Sequence, residues 1–441
     1  MECISNLLNT FFNLSNKMIE LKFPERETKI ANLVEGYFVG GCIRDQLLNK
    51  NIYDYDISTP LTPDVVTSIL SHNGFTVIPS GEKFGTVSVV FPNELPIEIT
   101  TFRSETYTIE NGRKPDVAFH TSQKGDLMRR DFTINAMAYD PREKELIDPY
   151  NGYLDLINKR MEFVSDPTDR IKEDPLRIIR ACRIGSYLGF EIPHHDILAI
   201  QKNSHELKRI PQERIVNEIW KARLNFARFV ELVDVCNIEK YVFGVDFEPL
   251  HDLRFRHDSR GTHYNETIFQ HLHDTLVVAD KNNFTFSTKL GLLYHDIGKI
   301  DTRSENGEKI MFIDHESSSE RIFKNTYGKM KGTNKKLINE VSFLISEHMK
   351  FPRLETINQI AKAVVDWKIS GKNLETIYRL RDLSFADRRT TFYPLVKQIT
   401  LAWEVDRPDG KKFEHLDISK RRDAIRSKWI EDTVNYLRSF T

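Results

Sequence analysis

Two aspartates one residue apart, Asp54 and Asp56 in the segment YDYDIST, are the first residues whose spacing suggests chemistry. Residues two apart on a strand share a face, and two carboxylates there repel each other unless a cation lies between them. Oxygen ligands suit Mg²⁺, which typically bridges to substrate phosphates and can work as a metal pair. Glu98, in the neighbouring predicted strand IEITTFR, offers a third carboxylate. The pattern predicts a catalytic magnesium site, and the alternative is a set of solvated acids on an edge strand.

Several residues near these carboxylates have the chemistry to bind phosphate. Gly40 and Gly41 stand where a predicted strand turns into a helix, and they allow close backbone approach to an anion. Arg44 follows on the first turn, where a guanidinium can fork onto a phosphate. In LMRRDFTINAMAYD, Arg130 is expected to grip a triphosphate and Asp131 to accept a hydrogen bond from a ribose hydroxyl. The alternatives are a tight turn and a charge cluster at a helix start.

The segment EDPLRIIRACR has the chemistry to read a base. Asp174 and Arg177 are three residues apart on a predicted helix and should share a face. A carboxylate beside a guanidinium matches the amino group and ring nitrogen of cytosine or adenine, and it leaves polar groups unpaired against uracil or guanine. Arg180 and Arg183 continue along the helix towards phosphates, and Glu173 is expected to orient the pair. The alternative is a solvated ion pair of little consequence.

These residues require a scaffold that brings short strands together. Short apolar runs from Tyr37 to about Asp148, broken by IRDQLLNK and PDVVTSILSHNG, predict an α+β head with a mixed sheet and flanking helices. The polar segment from Glu105 to Lys124 predicts a long loop. After Ser165 only helical spacing remains. The predicted domains are an N-terminal helical extension (1–36), the head (37–160), a helical neck (161–250), a helical body (251–400) and a C-terminal helical tail (401–441).

Bulk properties agree with a soluble, cytoplasmic protein. The 441 residues are 40% hydrophobic and 29% charged with a net charge of -1, so any attraction to nucleic acid must come from local basic faces. Cys3, Cys42, Cys182 and Cys236 form no CxxC pair, which fits a reducing compartment. No apolar window reaches the roughly 18 to 20 residues of a membrane span, and the first residues do not predict a signal peptide.

The motifs GGCIRD, YDYDIST, GEKFGTVSVV, EITTFR, LMRRDFTINAMAYD and EDPLRIIRACR follow one another over residues 37–220. This series resembles class II tRNA nucleotidyltransferases, the CCA-adding enzymes and the related bacterial poly(A) polymerases. The resemblance implies CTP and ATP as substrates and the 3′ end of tRNA as the acceptor. It also implies roles for the residues above: metal binding by Asp54 and Asp56, triphosphate binding by Gly41, Arg44 and Arg130, ribose binding by Asp131, and base selection by Asp174 and Arg177, supported by Arg180 and Arg183.

A second set of ligating residues lies in the predicted body: His271, His295, Asp296, His315, His348 and Asp387. Burial of His295-Asp296 within an apolar helix would require a cation or hydrogen-bond partners. The set resembles an HD-domain metal phosphohydrolase, and mixed imidazole and carboxylate ligands suit Mn²⁺, Ni²⁺, Co²⁺ or Fe better than Mg²⁺. Asp382 competes with Asp387 for the last position. His315 and His348 either contact substrate phosphate or bind a second metal, and Lys299 is placed to meet a phosphate.

The resemblance of the body implies phosphatase and 2′,3′-cyclic phosphodiesterase activity. Such an activity would prepare a damaged RNA end for nucleotide addition. By the resemblance of the head, the polar segment after Glu105 is long enough to be the loop that this family uses to add A after CC, which disfavours an enzyme that adds only CC. Three alternatives remain at this stage: a poly(A) polymerase of the same architecture, an HD phosphohydrolase whose head only binds RNA, and a helical RNA-binding body without a metal.

Overall fold

The computed structural model describes residues 19–52, 54–81, 84–106, 116–119, 122–252, 266–306, 309–388 and 391–440. The chain divides into two compact units, 1–209 and 210–441. The predicted domain boundaries at 160, 250 and 400 stay predictions. Most of the predicted N-terminal helix, residues 1–18, lies outside the described residues.

The first unit contains a sheet with helices around it. Its strands are β1 (Tyr37–Val39), β2 (Asp56–Thr59), β3 (Val77–Gly81), β4 (Thr86–Val89), β5 (Ile97–Thr101), β6 (Arg103–Thr106), β7 (Asp116–Phe119), β8 (Ala138–Asp140) and β9 (Glu145–Ile147). Its helices are α1 (Glu25–Leu33), α2 (Gly41–Leu47), α3 (Pro63–His72), α4 (Gln123–Met128), α5 (Gly152–Ile157), α6 (Pro167–Glu173), α7 (Leu176–Leu188) and α8 (His194–Asn203).

Seven of these nine strands form one sheet in the order β3-β4-β5-β2-β1-β8-β9, and β6 and β7 form a separate two-stranded sheet. The β2–β5 pair is parallel and the other neighbours are antiparallel, which confirms the predicted mixed sheet. Inward-facing apolar residues of the strands pack with α1 and α3 into a buried core that includes Ile30, Phe38, Ile57, Leu70 and Ile99. This packing holds the ends of β1, β2 and β5 in place, which is where the candidate residues lie.

Two expectations for the first unit were wrong in detail. Asp54 was expected on a strand with Asp56, but β2 begins only at Asp56. Its partner β1 ends at Val39, opposite Asp56, and Gly40 then turns the chain away, so residues before Asp56 have no neighbour on that side. The polar segment after Glu105 was expected to be a loop. Its described ends instead pair as β6 and β7, and residues 107–115 lie outside the described residues.

The second unit is mostly helical, as predicted. Its helices are α9 (Gln212–Lys221), α10 (Phe226–Val235), α11 (Glu239–Val242), α12 (Ile268–Lys281), α13 (Phe286–Tyr294), α14 (Lys299–Thr302), α15 (His315–Asn325), α16 (Lys335–Glu347), α17 (Ile357–Ile369), α18 (Leu374–Arg388), α19 (Tyr393–Trp403) and α20 (Ile418–Arg438). None of the described helices has the length and apolar character of a membrane span.

The expectation that strands end after Ser165 was wrong at one place. The strands β10 (Arg303–Asn306) and β11 (Lys309–Phe312) pair antiparallel in the second unit. The sequence carried a signal for this hairpin in Gly307, because Asn306 pairs with Lys309 and a glycine as the first of two connecting residues favours a tight hairpin turn.

Candidate active sites

Gly40 brings the predicted phosphate and metal groups of the head together. It follows β1 with φ of +77°, a conformation that favours glycine. A Cβ atom at this position would lie 2.7 Å from Arg130 Nη1 and 3.7 Å from Asp56 Oδ2. The absence of a side chain therefore leaves room for the Arg130 guanidinium and the Asp56 carboxylate beside the same point of the backbone.

Asp56 lies within electrostatic range of both other predicted carboxylates of the head, Asp54 and Glu98. Asp56 on β2 is in parallel register with Glu98 on β5, so the two side chains share a face of the sheet. Burial raises the pKa of Asp56 to about 6, Arg130 opposes the rise, and the charges of Asp54 and Glu98 add to it. Neighbouring carboxylates make one another's ionised form less favourable, and a bound cation relieves this repulsion. A donor set made only of oxygen atoms fits Mg²⁺.

A polar network connects Arg44 of α2 with Arg180 of α7 through Asn135 and Asp131. Arg44 donates from Nη1 to Asn135 Oδ1 at 2.8 Å, and Asn135 donates from Nδ2 to Asp131 Oδ1 at 3.0 Å. Arg180 on α7 donates from Nε to Asp131 Oδ2 at 2.8 Å. Burial alone would raise the pKa of Asp131, but Arg180 and Asn135 hold it well below its usual range. Asp131 is thus an ionised anchor of this network.

Asn135 is a residue that the sequence interpretation missed. Only an amide both accepts from Arg44 and donates to Asp131 at this position, and the side chain is buried. On the prediction that the head binds nucleoside triphosphates, Asn135→Ala should raise the KM for them about tenfold, because both charged neighbours lose a hydrogen bond. Steady-state incorporation kinetics measure this change.

The control for this prediction is Asn158→Ala, which alters an exposed asparagine at the end of α5. A loss of kcat with an unchanged KM in Asn135→Ala would contradict the role in nucleotide binding. A lower melting temperature of Asn135→Ala with unchanged kcat and KM would indicate that Asn135 contributes only to the stability of the fold.

The predicted base-reading pair is placed differently from expectation. Asp174 and Arg177 were expected on one helix, but Asp174 lies between α6 and α7 with extended backbone angles. Pro175 is the cause, because a residue that precedes proline is driven out of the helical conformation. Asp174 Oδ1 accepts from the Leu176 backbone N–H at 3.1 Å, which places this carboxylate at the start of α7.

Arg177 is held rigidly by the chain around it. Its Nη1 donates to Glu173 Oε2 at 2.7 Å and to the Arg170 carbonyl oxygen at 3.0 Å, and its Nη2 donates to the Arg129 carbonyl oxygen at 2.8 Å. Glu173 also pairs with Arg170. The expectation that Glu173 orients the pair agrees with this contact. Arg183 lies on α7, two turns beyond Leu176, and is half-buried.

The second unit brings together the predicted histidines and aspartates. His271 Nε2 lies 3.1 Å from Asp387 Oδ1 and 3.7 Å from Asp296 Oδ2. His295 Nε2 lies 3.4 Å from Asp296 Oδ2 and 3.6 Å from Asp387 Oδ1. These four residues are buried, although the His295-Asp296 pair follows the end of α13 and does not lie within the helix as expected.

His315 and His348 meet the other oxygen of the same aspartate. His315 Nε2 is 3.2 Å and His348 Nε2 is 3.8 Å from Asp296 Oδ1, and the two Nε2 atoms are 3.4 Å apart. Ligand atoms of His271, His295 and Asp296 lie within 4.8 Å of one another, as do those of Asp296, His315 and His348. Asp296 is thus shared by two clusters, an arrangement with the donors for two ions.

The imidazoles are oriented by the backbone. Nδ1 of His295, His315 and His348 contacts the carbonyl oxygens of Leu292, Phe312 and Ile345 at 2.8, 2.9 and 2.6 Å. Each Nδ1 therefore donates its proton to a backbone carbonyl, and each Nε2 faces the cluster, where it is placed to bind a metal. His295 Nε2 is buried without a hydrogen-bond partner among the described residues. An orphaned, buried ring nitrogen beside carboxylates fits a divalent transition metal.

The pKa values of the clustered residues shift in different directions. Burial lowers the pKa of His348 to about 3 and also lowers the pKa of His271. Burial opposes protonation of His295, but Asp296 and Asp387 outweigh it and raise its pKa. Burial also opposes ionisation of Asp296, but His295 and Lys299 hold its pKa well below its usual range.

Asp387 and not Asp382 completes the cluster. Asp382 points to Arg381, whose Nε lies 2.9 Å from its Oδ1, whereas Asp387 contacts His271 and His295. Lys299 is buried, and its Nζ lies 2.7 Å from Asp296 Oδ2. The contact of Lys299 with a substrate phosphate stays a prediction.

The class of the first unit follows from a comparison with protein families. Residues 36–162 match the family model described as the Poly A polymerase head domain. The resemblance that the head motifs indicated is thereby confirmed for these residues.

Two curated proteins of known name are similar to somewhat less than half of this chain. A CCA-adding enzyme of Staphylococcus aureus (strain bovine RF122 / ET3-1) is 39% identical over 208 residues, which cover 47% of this chain and 50% of that protein. A CCA-adding enzyme of Bacillus pumilus is 44% identical over 187 residues, which cover 42% of this chain and 45% of that protein. The chain thus spans about half the length of the curated relatives it matches.

Solved structures share the fold over nearly the whole chain. The Bacillus stearothermophilus CCA-adding enzyme in complex with CTP has a TM-score of 0.66 and 24% identity, with 94% of each chain covered. The Thermotoga maritima CCA-adding enzyme complexed with tRNA has a TM-score of 0.61 and 18% identity, with 97% of this chain and 98% of that chain covered. The α+β head followed by a helical region is therefore confirmed as the fold of these enzymes.

Proposed function

We propose that this chain adds C and A from CTP and ATP to the 3′ end of tRNA without a nucleic-acid template. The observation that carries the proposal is the meeting of Gly40, Arg130 and Asp56 at the end of β1, with Glu98 in register beside Asp56. These are the groups needed for a triphosphate and a metal in one place. The similarity to CCA-adding enzymes over about half of the chain supports the choice of reaction.

The chain's own residues position the reactants. Arg130 and Arg44 bind the phosphates of the incoming nucleotide beside Gly40 and Gly41, and Asp131 accepts a hydrogen bond from its ribose hydroxyl. Asp54 and Asp56, with Glu98 beside them, would hold Mg²⁺, which when bound would activate the RNA hydroxyl and neutralise the pyrophosphate. The RNA 3′ oxygen forms the new bond to the α-phosphorus while the bond to the bridging oxygen breaks, and pyrophosphate leaves.

Asp174 and Arg177 select the base in this proposal. We expect Asp174→Ala to lower kcat/KM for CTP and ATP about 100-fold while leaving the low values for UTP and GTP unchanged, because the lost acceptor serves only bases with an amino group. Single-nucleotide incorporation with each of the four triphosphates measures this. Asp169→Ala, at an exposed position of α6, is the matched control. An equal loss for all four triphosphates would contradict base selection by Asp174.

Incorporation of radiolabelled nucleotides into three tRNAs tests the whole proposal. The tRNAs end in the discriminator base, in C and in CC. Completion of C-C-A followed by arrest is the expected result. An A on the CC-ending tRNA alone would indicate an A-adding specialist, and an unlimited A ladder would indicate a poly(A) polymerase. The absence of incorporation into all three tRNAs would contradict the transferase function.

A second function is favoured by the buried histidine-aspartate clusters. We infer that the second unit hydrolyses phosphate esters, with 2′,3′-cyclic phosphates at RNA ends as the substrate class. His271, His295, Asp296 and Asp387 would hold one divalent transition metal, and Asp296, His315 and His348 have the donors for another. Bound metal supplies an activated water and a Lewis acid for the phosphate. Lys299 and the backbone-oriented imidazoles position these groups.

Hydrolysis of 2′,3′-cyclic AMP by the full-length protein tests this second function. The assay is run with Mn²⁺, Ni²⁺, Co²⁺, Fe²⁺ and Mg²⁺ in turn after removal of bound metal. Activity restored by a transition metal is the expected result. Absence of hydrolysis with all five ions would remove this function and would leave nucleotide addition untouched.

A further inference from the structure

The second unit contains a cavity of about 520 Å³ that neither proposed reaction uses. This volume lies within the range of roughly 300–1,000 Å³ that small-molecule sites occupy. Its walls come from α9, the first residue of α13, the start of α16, and α18. The cavity is separate from the histidine-aspartate clusters, because Glu340 in its wall precedes His348 by eight residues, or about 12 Å along α16.

One wall of the cavity is a row of side chains on α9. Glu213, Asn217 and Trp220 are spaced four and three residues apart and therefore lie on one face of the helix. Trp220 remains 46% exposed although it lines a cavity. Its ring lies nearly perpendicular to that of Phe286, with ring centroids 5.1 Å apart and planes at 85°, and the Arg223 guanidinium lies over the ring, 4.5 Å from its centroid. The indole is thus held in place by two neighbours while nearly half of its surface stays exposed.

The polar groups of the cavity fall into two sets. At its base, Glu340 pairs with Arg379 and accepts from Ser287 Oγ at 2.6 Å. Glu213, Asn217 and the Lys336 ammonium instead make no side-chain hydrogen bond or ion pair with the residues that the structure describes. The cavity therefore offers a carboxylate acceptor, an amide and a cation that are available to a ligand.

We propose that this cavity binds a nucleotide whose base carries an amino group, as a free adenosine or cytidine monophosphate or as one unpaired residue of an RNA. A base stacks on Trp220, because aromatic side chains bind the flat faces of bases. Its amino group donates to Glu213, its ring nitrogen meets Asn217, and its phosphate pairs with Lys336. The cavity is large enough for one such unit. The proposal concerns a site outside the head and does not depend on nucleotide addition.

Equilibrium dialysis of the full-length protein with radiolabelled AMP tests the site. The Arg130→Ala background weakens binding in the head, so that the remaining AMP reports the cavity. We expect one AMP per chain in this background and at least about tenfold weaker binding on adding Trp220→Ala. Lys221→Ala, on the same helix but outside the cavity wall, is the matched control and should leave binding unchanged.

Base preference and ligand source provide the further readouts. AMP and CMP should bind more tightly than UMP, and Glu213→Gln should reduce this preference. Single-stranded tetra-adenylate and unlabelled AMP are compared as competitors of radiolabelled AMP. Stronger competition by tetra-adenylate identifies RNA as the source of the ligand, and weaker competition identifies the free nucleotide. Unchanged AMP binding in Trp220→Ala, or no AMP bound in the Arg130→Ala background, would overturn the proposal. Neither result bears on nucleotide addition, which Arg130→Ala and the tRNA assay test separately.

Discussion

Asp56→Asn is expected to lower nucleotide incorporation by about a thousandfold or more and to leave hydrolysis of 2′,3′-cyclic AMP unchanged. The substitution removes the negative charge that Arg130, Asp54 and Glu98 surround at the start of β2. A neutral amide is a poor Mg²⁺ ligand, so the hydroxyl and the leaving pyrophosphate lose their cation. Asparagine has nearly the size of aspartate, and therefore the sheet register should survive. Both activities are measured on the same preparation.

Asp64→Asn is the control for this prediction, because Asp64 is an exposed aspartate of the same domain on α3. It should leave incorporation within about twofold of the unchanged protein, as expected for a surface substitution. Near-normal incorporation by Asp56→Asn would contradict the magnesium site. Loss of both activities together would argue against two independent sites.

Asp387→Asn is expected to remove bound transition metal and cyclic-phosphate hydrolysis while leaving nucleotide incorporation intact. Its carboxylate approaches both His271 and His295, so its loss takes one anionic ligand from the cluster. We expect at least about 100-fold weaker metal binding, since even residues outside the direct ligands cost 10–100-fold. Metal content after gel filtration, measured by mass spectrometry, is a readout that does not depend on activity.

Asp382→Asn is a close control for this prediction, because it makes the same chemical change five residues earlier on α18. Asp382 contacts Arg381 and takes no part in the clusters, so metal content should stay at the level of the unchanged protein. The opposite outcome, with metal lost from Asp382→Asn and retained by Asp387→Asn, would overturn the ligand assignment.

The sequence predicted the fold where local signals agree with packing. The β-branched runs around β1, β4 and β5 and the helical spacing of α3 are such cases. It failed where one residue overrides a pattern: Pro175 breaks the expected helix before Arg177, and Gly40 ends the ladder that would have included Asp54. The hairpin at β10 and β11 was not predicted because its first strand, Arg303–Asn306, is polar and mostly exposed and therefore has no apolar strand pattern.

The candidate sites were predictable in their members but not in their contacts. Residue type and spacing identified Asp56, Arg130 and the histidines, because ligands and phosphate-binding groups have distinctive chemistry. Asn135 gave no such signal, because an asparagine in an apolar segment acquires its role only from the Arg44 and Asp131 side chains that the fold brings to it. The choice of Asp387 over Asp382 likewise depends on which face of α18 meets His271.

The ends of three helices converge on the histidine-aspartate clusters. His295 and His348 directly follow the last residues of α13 and α16, and Asp387 is the last residue but one of α18. The carboxyl end of a helix carries a partial negative charge from its aligned peptide dipoles. The backbone itself therefore adds to the negative potential at this point, independently of the ligating side chains. A bound cation acts as a common cap for these helices, so metal loading and the resistance of their last turns to fraying rise together.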